Sequence, residues 1–296
     1  MDCNTSVVKE TVRNVGYALF KGFNPTQEDF ENFTNQFGTC AKTRQVHYPA
    51  TGEGLGFHSE DAYNPYRPDV IWFFCAYQGS DGGIPTGIVD GVEIFNQLPN
   101  RWKSFCRTKK LKFSRQWESS VWLTQKCSYG QEAIQSALES IPGMEYEFMV
   151  DGSIYLGYET PLITKTVNGQ ECFANTMLQA VSDPEFYGMS LEDEKQGPTE
   201  LIAIAEEIAL AAEQKLGWRT GEVAIIDNLR MMHRRSAYRQ VDRDIRVRHG
   251  ENFFGSQLPE DHSPLGEWVK SFIQADIALP TRVGSPSSML HNRKAS

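Results

Sequence analysis

The sequence lacks the features that mark several large protein classes. Its six cysteines, Cys3, Cys40, Cys75, Cys106, Cys127 and Cys172, fall without a CxxC pair. That spacing speaks against a zinc knuckle or a dense disulfide framework and leaves free, mostly buried thiols as the expectation. No apolar run approaches the length needed to span a bilayer, and the opening residues MDCNTSVVKETVRN lack the hydrophobic stretch of a secretion signal, so the cytoplasm is the expected location. Positive charge is not in excess either: 29 Lys and Arg face 38 Asp and Glu, a formal net charge of −9. This balance argues against a nucleic-acid partner, though one or two buried arginines suffice for a small anion. There is no glycine-rich dinucleotide fingerprint, no haem attachment motif and no cysteine set for an iron–sulfur cluster. Redox chemistry in this chain would need a small co-substrate as its electron source.

What is present is an ordinary globular composition, 40% hydrophobic and 11% aromatic over 296 residues, enough to bury a substantial core in one domain. NPTQEDFENFTNQFG spaces Phe30, Phe33 and Phe37 on one helical face and ends at Gly38. VIWFFCAY predicts a buried strand, and GVEIFNQLPNRWKSFC a helix interrupted at Pro99. From Thr108 to Ser182 the pattern predicts strands joined by loops, and the acidic segment Ser182 to Pro198 predicts a mobile loop. The strongest period follows: Leu201, Ile204, Ala205, Ile208 and Ala212 share a face of a helix capped by Thr199 and ended by Gly217. GEVAIIDN and DIRVR predict two further strands, and the tail from Gly284 is small and polar.

Chemistry enters at GFHSEDAY. Residues two apart in an extended segment point to one side, so His58 and Glu60 can offer a nitrogen and an oxygen to one ion. A third ligand must come from elsewhere. His233, just past an apolar strand and its turn, has the setting to project into a cavity; His47, His249, His262 and His291 do not. Two histidines and one carboxylate suit a non-haem Fe(II) oxygenase, and the same set accepts zinc, which keeps a divalent-metal hydrolase open.

FHSEDAY, DGGIPTGIVDG, GEVAIIDNLRMMHRRSAY and DRDIRVR, in that order, resemble the signature segments of the Fe(II)/2-oxoglutarate dioxygenases of the taurine dioxygenase and clavaminate synthase-like superfamily. The likeness runs from about Val15 to Gly255. It implies a mainly β fold with flanking helices, a double-stranded β-helix (jelly roll, cupin-like), in a single domain over 1–296. It implies His58, Glu60 and His233 as iron ligands, with glutamate as in the clavaminate synthase-like branch, and Fe(II), 2-oxoglutarate and O2 as cofactor and co-substrates. In that family a hydroxyl after the Gly-Gly turn and an arginine after the second histidine bind the distal carboxylate of 2-oxoglutarate. Thr86, 28 positions after His58, takes the first role, although GGIPT is one residue longer than the commonest form. Arg248, 15 positions after His233, takes the second, with Arg246 on the same strand face as its competitor. The expected reaction is oxidation, foremost hydroxylation, of a small molecule such as an amino acid, an amino-acid derivative or a specialised metabolite. The partner is that substrate, with neither nucleic acid nor membrane; a homo-oligomer is compatible with the sequence. A catalytically silent acid-binding protein is the remaining alternative. For the substrate pocket the candidates are Arg115, Trp117, Trp122, Tyr63, Tyr66 and Arg67.

Overall fold

The computed structural model describes residues 3–46, 52–80, 84–119, 129–182, 187–191, 199–238, 242–255 and 263–274. The polar tail from Gly284, His47, His262, His291, Trp122, Cys127 and the Gly82–Gly83 turn lie outside the described residues.

The architecture is mainly β with helices around it. A six-stranded antiparallel sheet comprises β1 (Tyr17–Phe20), β2 (Thr39–Cys40), β3 (Arg44–Gln45), β5 (Val70–Tyr77), β14 (Val223–Asp227) and β16 (Asp244–Glu251), ordered β1-β14-β5-β16-β2 with β3 also on β16. A four-stranded sheet, β13-β6-β15-β4, contains β4 (Leu55–His58), β6 (Thr86–Asp90), β13 (Gln214–Leu216) and β15 (Met231–Arg235). Successive strands pass between these two sheets. A third sheet holds β7 (Lys110–Trp117), β8 (Met144–Phe148), β9 (Ile154–Pro161) and β12 (Ser190–Leu191), and β10 (Thr164–Lys165) pairs with β11 (Glu171–Cys172).

The unbroken apolar run of β5 follows from its central position, which buries both faces. Val70, Trp72 and Phe74 pack against Val8 and Val12 of α1 (Thr5–Val15) and against Phe30 and Phe33 of α2 (Gln27–Thr34), together with Phe37 and Phe253. Ile71, Phe73 and Cys75 face the other way, toward Ile88 of β6, Met231 of β15 and Ile245 and Val247 of β16. The two larger sheets therefore share one apolar interior. Helix α2 starts with a capping box between Thr26 and Asp29. As the sequence predicts, the next helical stretch is broken at Leu98–Pro99, into α3 (Gly91–Gln97) and α4 (Asn100–Thr108).

Two expectations are corrected. The region 108–182 contains helices as well as strands: α5 (Gln131–Glu139), which buries Ile134 and Leu138 against Trp117 and Phe272, and the short α6 (Met177–Ser182) beside β4. The periodic helix, α7 (Thr199–Ala211), ends six residues before Gly217 because Gln214–Leu216 leave it to pair with Ile88–Thr86 of β6. Backbone groups on the edge of β6 that β15 leaves unpaired compete there with helix propensity, which is a weak prior. Of the segment Ser182 to Pro198, Ser182 and residues 187–191 are described, and the latter include β12, paired with β7. The last helix, α8 (Pro264–Ile273), packs on α5. Among the described residues no helix is long and apolar enough to cross a membrane.

One buried acid makes the fold sensitive to pH. Asp227, 1% exposed at the end of β14, has its carboxyl pushed up to about 7 from an ordinary 3.8 by burial, a shift opposed by the Leu229 amide and by Arg67. A raised carboxyl pKa means that the folded state holds its proton more tightly than the unfolded chain. Its contribution is therefore fullest below pH 4 and is lost as pH rises toward 7. The Asp227→Asn variant should lack this loss: in urea unfolding, its advantage over the parent should grow by about 1–3 kcal/mol between pH 4.5 and pH 7.5. A difference independent of pH would refute the assignment.

Candidate metal centre

The three residues singled out for metal binding converge. His58 ends β4 and His233 lies in the middle of β15, and the two are directly opposed across the antiparallel pair. Their ring centroids are 4.2 Å apart. Glu60 follows His58 on the first residue of a turn, in which Asp61 adopts a left-handed φ of 55°. Ser59 holds that turn down: it is fully buried, its hydroxyl bonds to Asn228, and the Asn228 side chain accepts from the Glu60 amide at 2.8 Å and donates to the Glu60 carbonyl at 2.9 Å. Because Ser59 points into the core, its neighbours His58 and Glu60 are both turned into the cavity.

One ligand atom from each of His58, Glu60 and His233 lies within 4.8 Å of the others. Nε2 of His58 and Nε2 of His233 are each 3.6 Å from Oε2 of Glu60. His58 Nδ1 sits 2.8 Å from the Gly56 carbonyl, which fixes the proton on Nδ1 and leaves the Nε2 lone pair to face inward. Nδ1 of His233 is buried with no hydrogen-bond partner among the described residues. Burial alone would raise the Glu60 carboxyl, yet the imidazoles of His233, His249 and His58 hold it well below the usual range. Burial and the neighbouring His58 lower His233 to about 4, so it is neutral at physiological pH, as a metal ligand must be. Two neutral imidazoles and an ionised carboxylate on one side of an open cavity fit Fe(II).

Sequence reading missed two residues at this centre. Arg44 of β3 donates to Glu60 Oε1 at 2.6 Å and approaches His249 Nε2 at 2.8 Å. His249 lies 3.3 Å from the same Glu60 oxygen and, through Nδ1, 3.5 Å from Asp61. The glutamate thus presents one oxygen to the two histidines while the other is held by Arg44 and His249. His249 was set aside for want of a cavity setting, but the alternation of β16 supplies one: Ile245 and Val247 face the interior, and His249 continues that face.

The same alternation corrects the arginine assignment. The centre opens into a cavity of about 350 Å3 whose wall includes Thr86, Arg235, Arg243 and His249. Arg246 and Arg248 do not line it. Arg248 points to the opposite face, where its guanidinium donates to the carbonyls of Ala41 at 2.8 Å and Glu31 at 3.0 Å and to the Thr34 hydroxyl at 2.5 Å. Arg246 is paired with Asp244 at 2.8 Å and reaches Gln27. Two arginines of β15 and the β16 approach share the cavity wall with Thr86: Arg235, opposed to Thr86 across the strand pair, and Arg243, buried and donating to the Ile84 carbonyl two residues before Thr86. A register shift between Asp244 and Ile245 separates Arg243 from the regular part of the strand. Thr86 lines the cavity, and its hydroxyl accepts from Trp218 Nε1 at 2.9 Å, so its own proton is available to another acceptor. Of the substrate candidates, Arg115, Trp117 and Tyr63 line a second cavity, whereas Arg67 is packed against Ser59 and Asn228.

Comparison with known proteins covers most of the chain. Residues 3–249 match the family described as Taurine catabolism dioxygenase TauD, TfdA family. The chain belongs to this dioxygenase family. Members of the TauD/TfdA family work with Fe(II), 2-oxoglutarate and O2, and the His-Glu-His group is one whose ligand atoms lie close enough to hold a metal ion. Solved structures extend the likeness at the level of fold. PvcB of Pseudomonas aeruginosa superposes with a TM-score of 0.58 at 12% identity, covering 84% of this chain and 80% of PvcB. A second PvcB structure, of an Fe, alpha-ketoglutarate dependent oxygenase from an isonitrile synthetic pathway, gives 0.54 at 13%, covering 84% and 80%. AAD-2 in complex with Mn(II) and N-oxalylglycine gives 0.55 at 15%, covering 83% and 87%. No curated protein matches the TauD-family chain.

Proposed function

We propose that the protein oxidises, foremost by hydroxylation, an unactivated C–H bond of a small molecule such as an amino acid, an amino-acid derivative or a specialised metabolite. The overall stoichiometry is substrate, O2 and 2-oxoglutarate giving hydroxylated substrate, succinate and CO2. The two interlocking sheets are read as the halves of a double-stranded β-helix within one domain. The observation that carries the proposal is the position of His58 Nε2 and His233 Nε2, each 3.6 Å from one oxygen of Glu60, in a chain matched to the family over 3–249.

His58, Glu60 and His233 would hold the iron, which when bound would supply the coordination positions for 2-oxoglutarate and O2, while 2-oxoglutarate and the substrate C–H bond supply the electrons that O2 requires. Gly56 orients His58, and Arg44 with His249 restrains the second Glu60 oxygen, so that Glu60 offers one oxygen inward. Thr86 and Arg243 would receive the distal carboxylate of 2-oxoglutarate, the hydroxyl with one hydrogen bond and the guanidinium with a charge-assisted pair. Ile71, Phe73, Ile245 and Val247 form an apolar wall, which limits water and strengthens those charged contacts.

The test is anaerobic reconstitution. Addition of Fe(II) and 2-oxoglutarate should produce a weak visible charge-transfer band, and candidate substrates should then release succinate in oxygen. Metal uptake without that band, or without succinate release across an amino-acid and small-acid panel, would remove the reading.

A further inference from the structure

Behind the turn that carries Glu60 lies a closed polar network. Asn228, fully buried just after β14, uses the whole hydrogen-bonding capacity of its side chain. Its Oδ1 accepts from the Glu60 amide at 2.8 Å and from the Ser59 hydroxyl at 3.0 Å, and its Nδ2 donates to the carbonyls of Glu60 and Pro68, both at 2.9 Å. The side-chain amide is thus paired with both polar groups of the Glu60 peptide.

Arg67 completes the network. Its guanidinium donates to Ser59 Oγ at 2.6 Å and to the Asn228 carbonyl, and its Nε is buried with no hydrogen-bond partner among the described residues. Burial pulls its pKa down to about 10, opposed by Asp227 and Asp69, neither of which pairs with it. A cation held by neutral oxygens contributes little to stability, since an apolar side chain of similar volume in place of a buried charge is often neutral or stabilising. Arg67 lines neither the metal-centre cavity nor the smaller one beside Tyr63, so it has no direct reach to an ion or a substrate there.

Its role follows from counting protons. A hydroxyl has one, and Ser59 Oγ faces two acceptors, the Asn228 carbonyl and Asn228 Oδ1. Arg67 serves the carbonyl and at the same time donates to Ser59 Oγ, which leaves the Ser59 proton for Oδ1. That oxygen is the one that receives the Glu60 amide. Without Arg67, the Ser59 proton turns to the carbonyl, and the Asn228 amide loses one of the bonds that fix its plane. Ser59 itself stays in place, because its amide donates to the Asn175 carbonyl at 3.0 Å and its carbonyl accepts from the Thr176 hydroxyl at 3.1 Å.

We propose that Arg67 is a positioning residue of the metal centre: through Ser59 and Asn228 it fixes the Glu60 peptide, and with it the direction from which the carboxylate enters the cavity. The proposal rests on the reading that His58, Glu60 and His233 hold the ion. The test is calorimetric titration of metal-free protein with Mn(II) under argon at pH 6, where Asp227 keeps its proton, beside thermal unfolding of the same metal-free samples. Arg67→Met should weaken Mn(II) binding by about tenfold, the size expected for a partner behind a ligand, with a melting temperature equal to or above the parent's. Its Co(II) form should show a shifted visible d–d band, a signature that a purely structural residue would leave unmoved. Ser59→Ala should give a similar loss of affinity, and adding Arg67→Met to it should weaken binding by less than about twofold more, because both act through one hydroxyl. Parent-like affinity in Arg67→Met, losses that multiply in the double variant, or a lost affinity that comes with a lowered melting temperature would overturn the proposal. Parent-like affinity in both single variants, with Mn(II) binding that still needs Glu60, would remove the role of Arg67 and leave the metal-site reading standing. Absence of Mn(II) binding by the parent would remove both.

Discussion

Glu60→Ala should abolish substrate-dependent succinate release and weaken Fe(II) binding by about 100-fold or more, about 3 kcal/mol. Glu60 is the only carboxylate in the three-residue group, and its Oε2 faces both imidazoles. Its removal leaves two neutral nitrogen donors and no charge to balance a divalent ion. The variant should nevertheless fold, because the turn is held through Ser59 and Asn228 and through the Glu60 backbone rather than its side chain. Binding of Mn(II) or Fe(II) under argon, measured by calorimetry, separates the two effects. Wild-type metal affinity in Glu60→Ala would show that the ion is held elsewhere.

The second large effect distinguishes two arginines five residues apart. Arg243→Met should raise the 2-oxoglutarate concentration needed for half-maximal turnover by about 100-fold, the loss expected for a buried, charge-assisted pair, and should change the melting temperature little. Arg248→Met should do the opposite. The Arg248 guanidinium satisfies carbonyls of Glu31 and Ala41 and the Thr34 hydroxyl, and thereby ties β16 to α2 and to the strand that follows it. Its loss should lower stability by about 2–4 kcal/mol while the 2-oxoglutarate requirement stays as it was. Both quantities come from one pair of variants, by steady-state kinetics and thermal melts. An unchanged 2-oxoglutarate requirement in Arg243→Met would remove that residue from the carboxylate site.

The arginine exchange shows where sequence reading reaches its limit. Spacing alone directed the choice to Arg248, because counting from His233 does not reveal which face of a strand a residue occupies. The information was present in another form: Ile245 and Val247 alternate with Asp244, Arg246 and Arg248, and the apolar pair marks the interior side. Yet that clue is ambiguous, since Arg248 is itself buried, on the side covered by α2. A strand buried on both faces offers no polar side to read. His58, Glu60 and His233 were legible for the opposite reason. Their residue types are chemically restrictive, and the strand after the ligand pair and the strand before His233 are apolar enough to be recognised as β5 and β14. Arg44 and His249 were not legible, because their role depends on a contact between segments about 200 residues apart that neither segment announces.

The early end of α7 has the same physical origin as these misses. Gly217 is a sound helix stop, but the open edge of β6 claims Gln214–Leu216 first. That edge pairing also bears on the centre, since Leu216 is opposed to Thr86 and Ile88 is opposed to His233 on the other side of β6.

Gly56 gives the narrow strand β4 a further meaning. A β-carbon added there would come within 3.1 Å of the Gln179 backbone in α6, and its own carbonyl orients the His58 ring. Sideways tolerance at this one position is therefore shared between a helix and an imidazole. Any remodelling of α6 thus carries straight through to the orientation of the His58 ring.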